Sequence, residues 1–189
     1  SLDDEILRAN RRGHDVAATR AAFRALRGAG FKLHAHWMPN LLGATPAGDA
    51  ADYRCLFDDS DFRPDELKLY PCLLVESAAL AAHHARGEWQ PYRDDLLVEL
   101  LAGCIEATPR WCRLTRVVRD FSAHDVAAGT HTANLREVAE RALAARGVRA
   151  QEIRSREVRG RAVAAAELSL SGVAYQTSTG REHFLEFAT

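Results

Sequence analysis

The stretch Lys32-Leu33-His34-Ala35-His36-Trp37-Met38-Pro39 decides the fold. Its polar side chains, Lys32, His34 and His36, alternate with the apolar Leu33, Ala35 and Trp37, and a proline closes it. Successive side chains of a strand point to opposite faces, so the segment reads as a strand with one buried and one polar face. Leu67–Val75 (LKLYPCLLV) repeats the pattern, with Lys68 and Tyr70 opposing Leu67 and Leu69 ahead of Pro71. Polar groups gathered at the ends of neighbouring strands are the sequence mark of an α/β active site.

Helical periodicity fills the intervals. The first clear helix spans Asp15–Ala29, with Asp15 as N-cap and Gly28 and Gly30 as its stop. Strand Phe31–Trp37 follows, then the Pro- and Gly-rich loop Met38–Gly48 and a helix from about Asp49 to Asp59. Strand Leu67–Tyr70 leads through Ala78–Arg86 to an amphipathic helix at Arg93–Ala107, ended by Pro109. A third strand is expected at Cys112–Arg119, a helix at Ala133–Arg146 and a fourth strand at about Glu152–Val158. Such alternation predicts parallel βα units, in a partial TIM-type barrel or an open doubly wound sheet. Beyond Gly160 three short antiparallel strands are expected, Val163–Ser171, Val173–Thr177 and Glu182–Phe187, with turns at Ser171-Gly172 and Ser178-Thr179-Gly180. The chain starts in a helix with no preceding strand and stops with a sheet barely begun, so both ends read as truncated.

Composition is that of an ordinary water-soluble domain, with 47% hydrophobic and 27% charged residues and no apolar run of membrane-spanning length. The acidic N-terminus, Ser1-Leu2-Asp3-Asp4-Glu5, lacks the pattern of a signal peptide, and the expected location is the cytoplasm. Cys55, Cys72, Cys104 and Cys112 are too scattered for a metal-binding motif and read as buried thiols. A net charge of −1 gives no global preference for nucleic acid, but charge is segregated along the chain. Arg110, Arg113, Arg116 and Arg119 share one stretch with no acid between them. Residues 146–161 carry Arg146, Arg149, Arg154, Arg156, Arg159 and Arg161 against Glu152 and Glu157, while residues 44–66 are strongly acidic. This distribution is compatible with a phosphate-binding face and equally with solvated helix and loop charge.

Several ordered motifs carry a resemblance to a known family. Asn10-Arg11-Arg12-Gly13-His14, Gly30-Phe31-Lys32, His36-Trp37-Met38-Pro39-Asn40-Leu41, Phe62-Arg63-Pro64-Asp65 and Leu67-Lys68-Leu69-Tyr70-Pro71 resemble the catalytic subunit of Elongator. Arg116-Val117-Val118-Arg119-Asp120, Asn134-Leu135-Arg136-Glu137 and Arg156-Glu157-Val158 continue it in the same order over essentially the whole chain. The resemblance implies a radical S-adenosylmethionine barrel joined to a C-terminal acetyltransferase domain. It also implies modification of the wobble uridine of transfer RNA, with acetyl-CoA supplying a carboxymethyl group at carbon 5. In that chemistry an iron–sulfur cluster of four irons and four sulfurs cleaves S-adenosylmethionine, and the resulting radical abstracts hydrogen from the acetyl group.

The chain departs from that pattern. The upstream cluster motif and the downstream glycine-rich acetyl-CoA loop are absent, and Ala150, Glu152 and Ser155 stand where many relatives carry zinc-binding cysteines. No metal is therefore expected in it. The expected fold class is α/β: the second half of the barrel over residues 1–147, an interdomain segment at 148–161 and the first acetyltransferase-like strands at 162–189. Such an internal fragment would be incompetent alone, would need the missing segments of its parent chain, and could self-associate through its open edge. The alternative is a catalytically inactive half-barrel that docks RNA or a protein partner.

His36, Met38 and Asn40 at the end of the first strand are the candidates for cofactor binding. Lys68 and Tyr70, at the same place on the next strand, are the candidates for catalysis. A buried lysine is costly without a purpose, so Lys68 is expected to face a pocket or an anion. Arg116, Arg119, Arg154 and Arg156 are the candidates for transfer-RNA contacts, the last two sharing a strand face. Trp37, Trp89 and Trp111 are read as packing residues, and the neighbours His83 and His84 diverge too far on a helix to share a metal.

Overall fold

The computed structural model describes residues 1–117 and 124–189. Two short helices lead into the sheet: α1 (Asp4–Ala9) and α2 (Val16–Gly28), the latter capped by the Asp15 carboxylate accepting from Ala18 N at 2.7 Å. Gly30, at φ +84°, turns the chain out of α2, a conformation that favours glycine. Strand β1 (His34–Trp37) follows, then α3 (Pro46–Asp58), started by Thr45 as N-cap and Pro46 in its first turn. Strand β2 (Glu66–Leu69), the short α4 (Leu80–Ala85), α5 (Asp94–Ala107), β3 (Arg113–Val117) and α6 (Leu135–Ala145) complete the βα part.

The three strands form a parallel sheet in the order β1-β2-β3. Alternation sorts their side chains as expected: Leu33, Trp37, Leu67, Leu69, Leu114 and Val117 are buried, while His34 and His36 are exposed. The buried side packs on α3, α5 and α6 through Tyr53, Leu56, Phe57, Leu101, Ile105, Leu135 and Leu143. A second apolar cluster of Leu41, Cys72, Leu74 and Trp89 lies under the loops that leave the sheet. The acids of the 44–66 stretch are largely engaged within the fold. Asp59 and Asp61 pair with Arg20, and Asp65 with Arg27 and Lys32. Among the described residues no helix is long and apolar enough to cross a membrane.

The C-terminal third corrects two expectations. Glu152–Val158 is not a strand: Ile153–Arg156 is a one-turn helix, α7, whose N-cap is Glu152. The Glu152 carboxylate accepts from the backbone N–H groups of Arg154 and Ser155 and from that of Leu114 on β3. Local capping thereby overrides the two-residue alternation of the segment. Arg154 and Arg156 consequently do not share a strand face; two positions apart on a helix they diverge by about 200°.

The second correction concerns the antiparallel strands. There are two rather than three, β4 (Ser169–Thr177) and β5 (Gly180–Ala188), paired throughout, with a 3-10 turn at Ala165–Glu167 ahead of them. Ser171-Gly172 makes no turn. Gly172 lies opposite Leu185, where an added Cβ would meet Leu185 Cδ2 at 2.9 Å and Phe184 O at 3.3 Å. Glycine here answers a close cross-strand approach.

The hairpin docks at the N-terminal end of the parallel strands. Arg63 Nη1 donates to Gln176 O at 2.5 Å and Ser178 N to Ser60 O at 3.0 Å. Tyr175 stacks on Trp111 at 4.2 Å, and Glu186 pairs with both Arg110 and Arg156. The hairpin's other face is bare, with Leu170, Leu185 and Phe187 at 61%, 65% and 69% exposure.

Candidate functional site

An all-parallel sheet is normally covered on both faces. Here one face is covered by helices and the other carries polar side chains in register. His34 stands beside Glu66 and Arg113, and the next rung is His36, Lys68 and Arg116. The second rung depends on an irregularity in β3. Leu67 pairs with Leu114, but Lys68 pairs with Arg116, leaving Thr115 as an extra residue. In regular register Lys68 would oppose Thr115, and Arg116 would turn toward the helices.

The Thr115 hydroxyl stays on the polar side, 3.1 Å from His34 Nε2 and donating to Leu67 O at 3.3 Å. His34 Nδ1 lies 3.4 Å from the Glu66 carboxylate. Lys68 is half-buried and Arg116 exposed, and neither has an ion-pair or hydrogen-bond partner among the described residues. Tyr70 is buried, its ring edge-on to His36 with centroids 5.6 Å apart. The rung therefore offers two cations and an imidazole along one open surface, with the buried Tyr70 ring packed against its His36 end. Chemically it suits an anion and a proton-bearing substrate group.

Helix α7 fixes the bulge. The Arg154 guanidinium donates to Thr115 O, while Glu152, fully buried, accepts from Leu114 N at 2.9 Å. Arg136 on α6 donates to Leu114 O at 2.9 Å and pairs with Glu152, whose carboxylate also accepts from the Ser155 hydroxyl at 2.6 Å. Burial opposes ionisation of Glu152. The Ser155 and backbone hydrogen bonds and the Arg136 charge outweigh it and hold the carboxyl below its ordinary range. Three charged side chains and one backbone contact, Ile153 N to Cys112 O at 3.1 Å, thus occupy the outer edge of β3.

The remaining sequence candidates are placed as follows. Met38 packs against the second apolar cluster and, with His36, lines a crevice of about 90 Å³ beside α1 and α2. Asn40 is buried at φ +63° and does not face the rung. Its backbone N–H donates to Asp49 at 2.7 Å, its carbonyl accepts from Trp89 Nε1 at 2.8 Å, and its side chain sits between Gln90 O and Tyr92 N. Asp49 also accepts from the Tyr92 hydroxyl at 2.9 Å, and burial pushes the Asp49 carboxyl up. Arg156 donates to Gln151 O and Arg110 O and pairs with Glu186 at 2.6 Å. Arg119 lies outside the described residues. The sequence reading gave no role to Thr115 or Glu66, and it named Glu152 as a strand start, a local acid and a non-cysteine but not as a clamp. Thr115 and Glu66 owe their places to strand register, which no local pattern reveals.

The cysteines are single and free. Cys72, Cys104 and Cys112 are buried, and burial pushes the Cys72 thiol up to about 11 and the other two higher still. Among the described residues no three His, Cys, Asp or Glu side chains are grouped to hold a metal ion.

Residues 64–145 match the Radical_SAM C-terminal domain. The chain is 36% identical to the tRNA uridine(34) acetyltransferase of Dehalococcoides mccartyi, an alignment covering 98% of this chain and 41% of that protein. It is 36% identical to human Elongator complex protein 3 over 139 residues, 74% of this chain and 25% of that protein. Among solved structures, an N-terminally truncated Elp3 of Methanocaldococcus infernus superposes with a TM-score of 0.93 at 33% identity, covering 99% of this chain and 45% of that one. The chain thus spans less than half the length of these relatives.

Proposed function

The chain belongs to the family of the Elongator catalytic subunit and the tRNA uridine(34) acetyltransferases, and from that premise we propose that its open sheet face lines the reaction chamber of a transfer-RNA-modifying enzyme. The observation that carries the proposal is the rung His36, Lys68 and Arg116, brought side by side by the Thr115 bulge at the C-terminal ends of parallel strands. Chemistry in α/β barrels sits at that end.

In this reading Lys68 holds an anionic group, the carboxylate of S-adenosylmethionine or a phosphate, and its half-burial strengthens the attraction over that in bulk water. When bound, S-adenosylmethionine supplies the hydrogen-abstracting radical, and acetyl-CoA the two-carbon unit destined for carbon 5 of the wobble uridine. Tyr70, held against His36, orients the reacting group and excludes water from it. His36 and Met38 form the wall on the side of the crevice. Asn40 supports that wall from behind by fixing the loop after β1. Arg116 reaches RNA phosphate from the exposed end of the rung, and Arg119 follows it on the same segment. Arg154 acts through the bulge it holds, and Arg156 through its contact with the hairpin.

The cysteines of this chain do not fit an iron–sulfur cluster, since each stands alone and the buried ones are held protonated. The 189 residues supply part of the site, with residues 162–189 as the opening strands of the acetyltransferase-like unit. The remainder of the site and the partners of an Elongator-type complex lie elsewhere. In the intact enzyme carrying this segment, Lys68→Met should abolish modified uridine in nucleoside mass spectrometry, and Arg116→Met should raise the RNA concentration required. Full product from Lys68→Met would overturn the proposal.

A further inference from the structure

The rung before His36, Lys68 and Arg116 is joined across all three strands. His34 Nε2 on β1 stands 3.1 Å from the Thr115 hydroxyl on β3, and that hydroxyl donates to Leu67 O at 3.3 Å. His34 Nδ1 faces the Glu66 carboxylate on β2 at 3.4 Å, an ion-pair contact that is long for a hydrogen bond. The doubly protonated ring satisfies both contacts at once, whereas a neutral ring has one N–H for the two.

The other charges around this ring have their own partners. Lys32, ahead of β1, pairs with Asp65, which also pairs with Arg27. On β3, Arg113 lies across from Glu66 but pairs with Glu157, and Arg116 lies one rung further on. The His36 ring is 5.9 Å from that of His34. Glu66 and Lys68 share the polar face of β2, about 7 Å apart along the strand and within reach of a lysine stem. Spacing alone would pair them. Instead Glu66 faces His34, and Lys68 has no partner among the described residues.

We propose that His34 is a positioning residue that holds Glu66 away from Lys68, keeping the Lys68 ammonium free to take an anion. Histidine changes charge between about pH 5 and 8, so the hold is firm in mild acid and relaxes as pH rises. The proposal rests on the reading of Lys68 as the anion-holding group, and supplies the reason that this lysine stands unpaired. Both His34 and Glu66 are partly exposed, so the effect on anion binding is modest, about threefold.

The test applies a water-soluble carbodiimide to the 189-residue chain, which has two lysines, Lys32 and Lys68. The reagent joins a carboxylate to an amine where the two meet. A Glu66–Lys68 amide, read by mass spectrometry as loss of water within a single peptide, therefore reports their contact. The amide between Lys32 and Asp65, 3.2 Å apart, corrects for the reagent's own pH dependence. Against that reference the yield should be low in the unsubstituted chain near pH 6 and rise toward pH 8. His34→Val should give a high yield at both, and His34→Arg, which keeps the charge, a low yield at both. His36 titrates in the same range, but its influence would persist in His34→Arg.

A second readout is the sulfate concentration that half-protects Lys68 from reductive methylation near pH 6. It should rise about threefold in His34→Val and return to the starting value in His34→Val/Glu66→Gln. A yield near pH 6 as high in the unsubstituted chain as in His34→Val, a pH dependence retained in His34→Arg, or unaltered sulfate protection in His34→Val would overturn the proposal. Failure of sulfate to protect Lys68 in the unsubstituted chain would overturn the anion-holding role itself, a result on which the amide yields do not depend.

Discussion

Glu152→Gln is the perturbation whose consequence follows most directly from the structure. One carboxylate oxygen accepts from Leu114 N and Arg154 N, the other from Ser155 N, the Ser155 hydroxyl and Arg136. Glutamine removes the charge and replaces one of those oxygens with an NH2 that faces donors whichever way it turns. Removing one partner of a buried ion pair costs about 3–5 kcal/mol, and a buried donor left unpaired about 1–3 kcal/mol. Arg136 retains some solvent access and Glu140 as a second partner, so the lower end, about 3 kcal/mol, is expected. For a domain of this size that lowers the thermal midpoint by roughly 6–12 °C, measurable by circular dichroism. Glu152→Leu should lose more than Glu152→Gln, because it also leaves the buried Leu114 N–H without an acceptor and removes the cap of α7.

The pH dependence has a fixed sign. The folded-state carboxyl titrates below the ordinary value of 4.5, so its contribution is complete above that pH and fades as pH falls through the folded-state value. The gap between the two proteins should therefore close in acid. A midpoint for Glu152→Gln within about 2 °C of the parent at pH 7 would refute the bulge-clamp account.

Two further expectations concern the surface. At pH 8 a thiol reagent should label Cys55 first and slowly, since it is only half-buried and its thiol is itself raised, while Cys72, Cys104 and Cys112 should react only on unfolding. Rapid labelling of all four in the native protein would contradict the packing described. The bare outer face of the hairpin should make the isolated chain self-associate, and Leu185→Asp/Phe187→Asp should return it to monomer by light scattering. A concentration-independent monomer before substitution would refute that expectation.

What could be read from the sequence was local. The two-residue alternation of Lys32–Trp37 and Leu67–Tyr70 sorted buried from exposed side chains because a strand's geometry leaves no other choice. Asp15 announced α2 for similarly local reasons. Whatever depended on distant partners was hidden. Glu152–Val158 alternates like a strand, yet Glu152 turns it into a helix while bonding Leu114, 38 residues away. Gly172 reads as a turn until Leu185 is seen across from it. Lys68 and Arg116 were each visible as candidates, but only the Thr115 bulge makes them neighbours. Arg156, chosen for RNA on charge alone, is engaged with Glu186, whereas Arg149, Arg159 and Arg161 on the same stretch remain open.

The most direct test of the central claim is a structure of the intact enzyme carrying this segment, with S-adenosylmethionine and RNA bound. The account predicts bound ligand on the open face of the sheet, with an anionic oxygen within hydrogen-bond reach of Lys68 and RNA phosphate near Arg116. Ligands seated at the opposite, hairpin-covered end of the strands, with Lys68 facing bulk solvent, would contradict it.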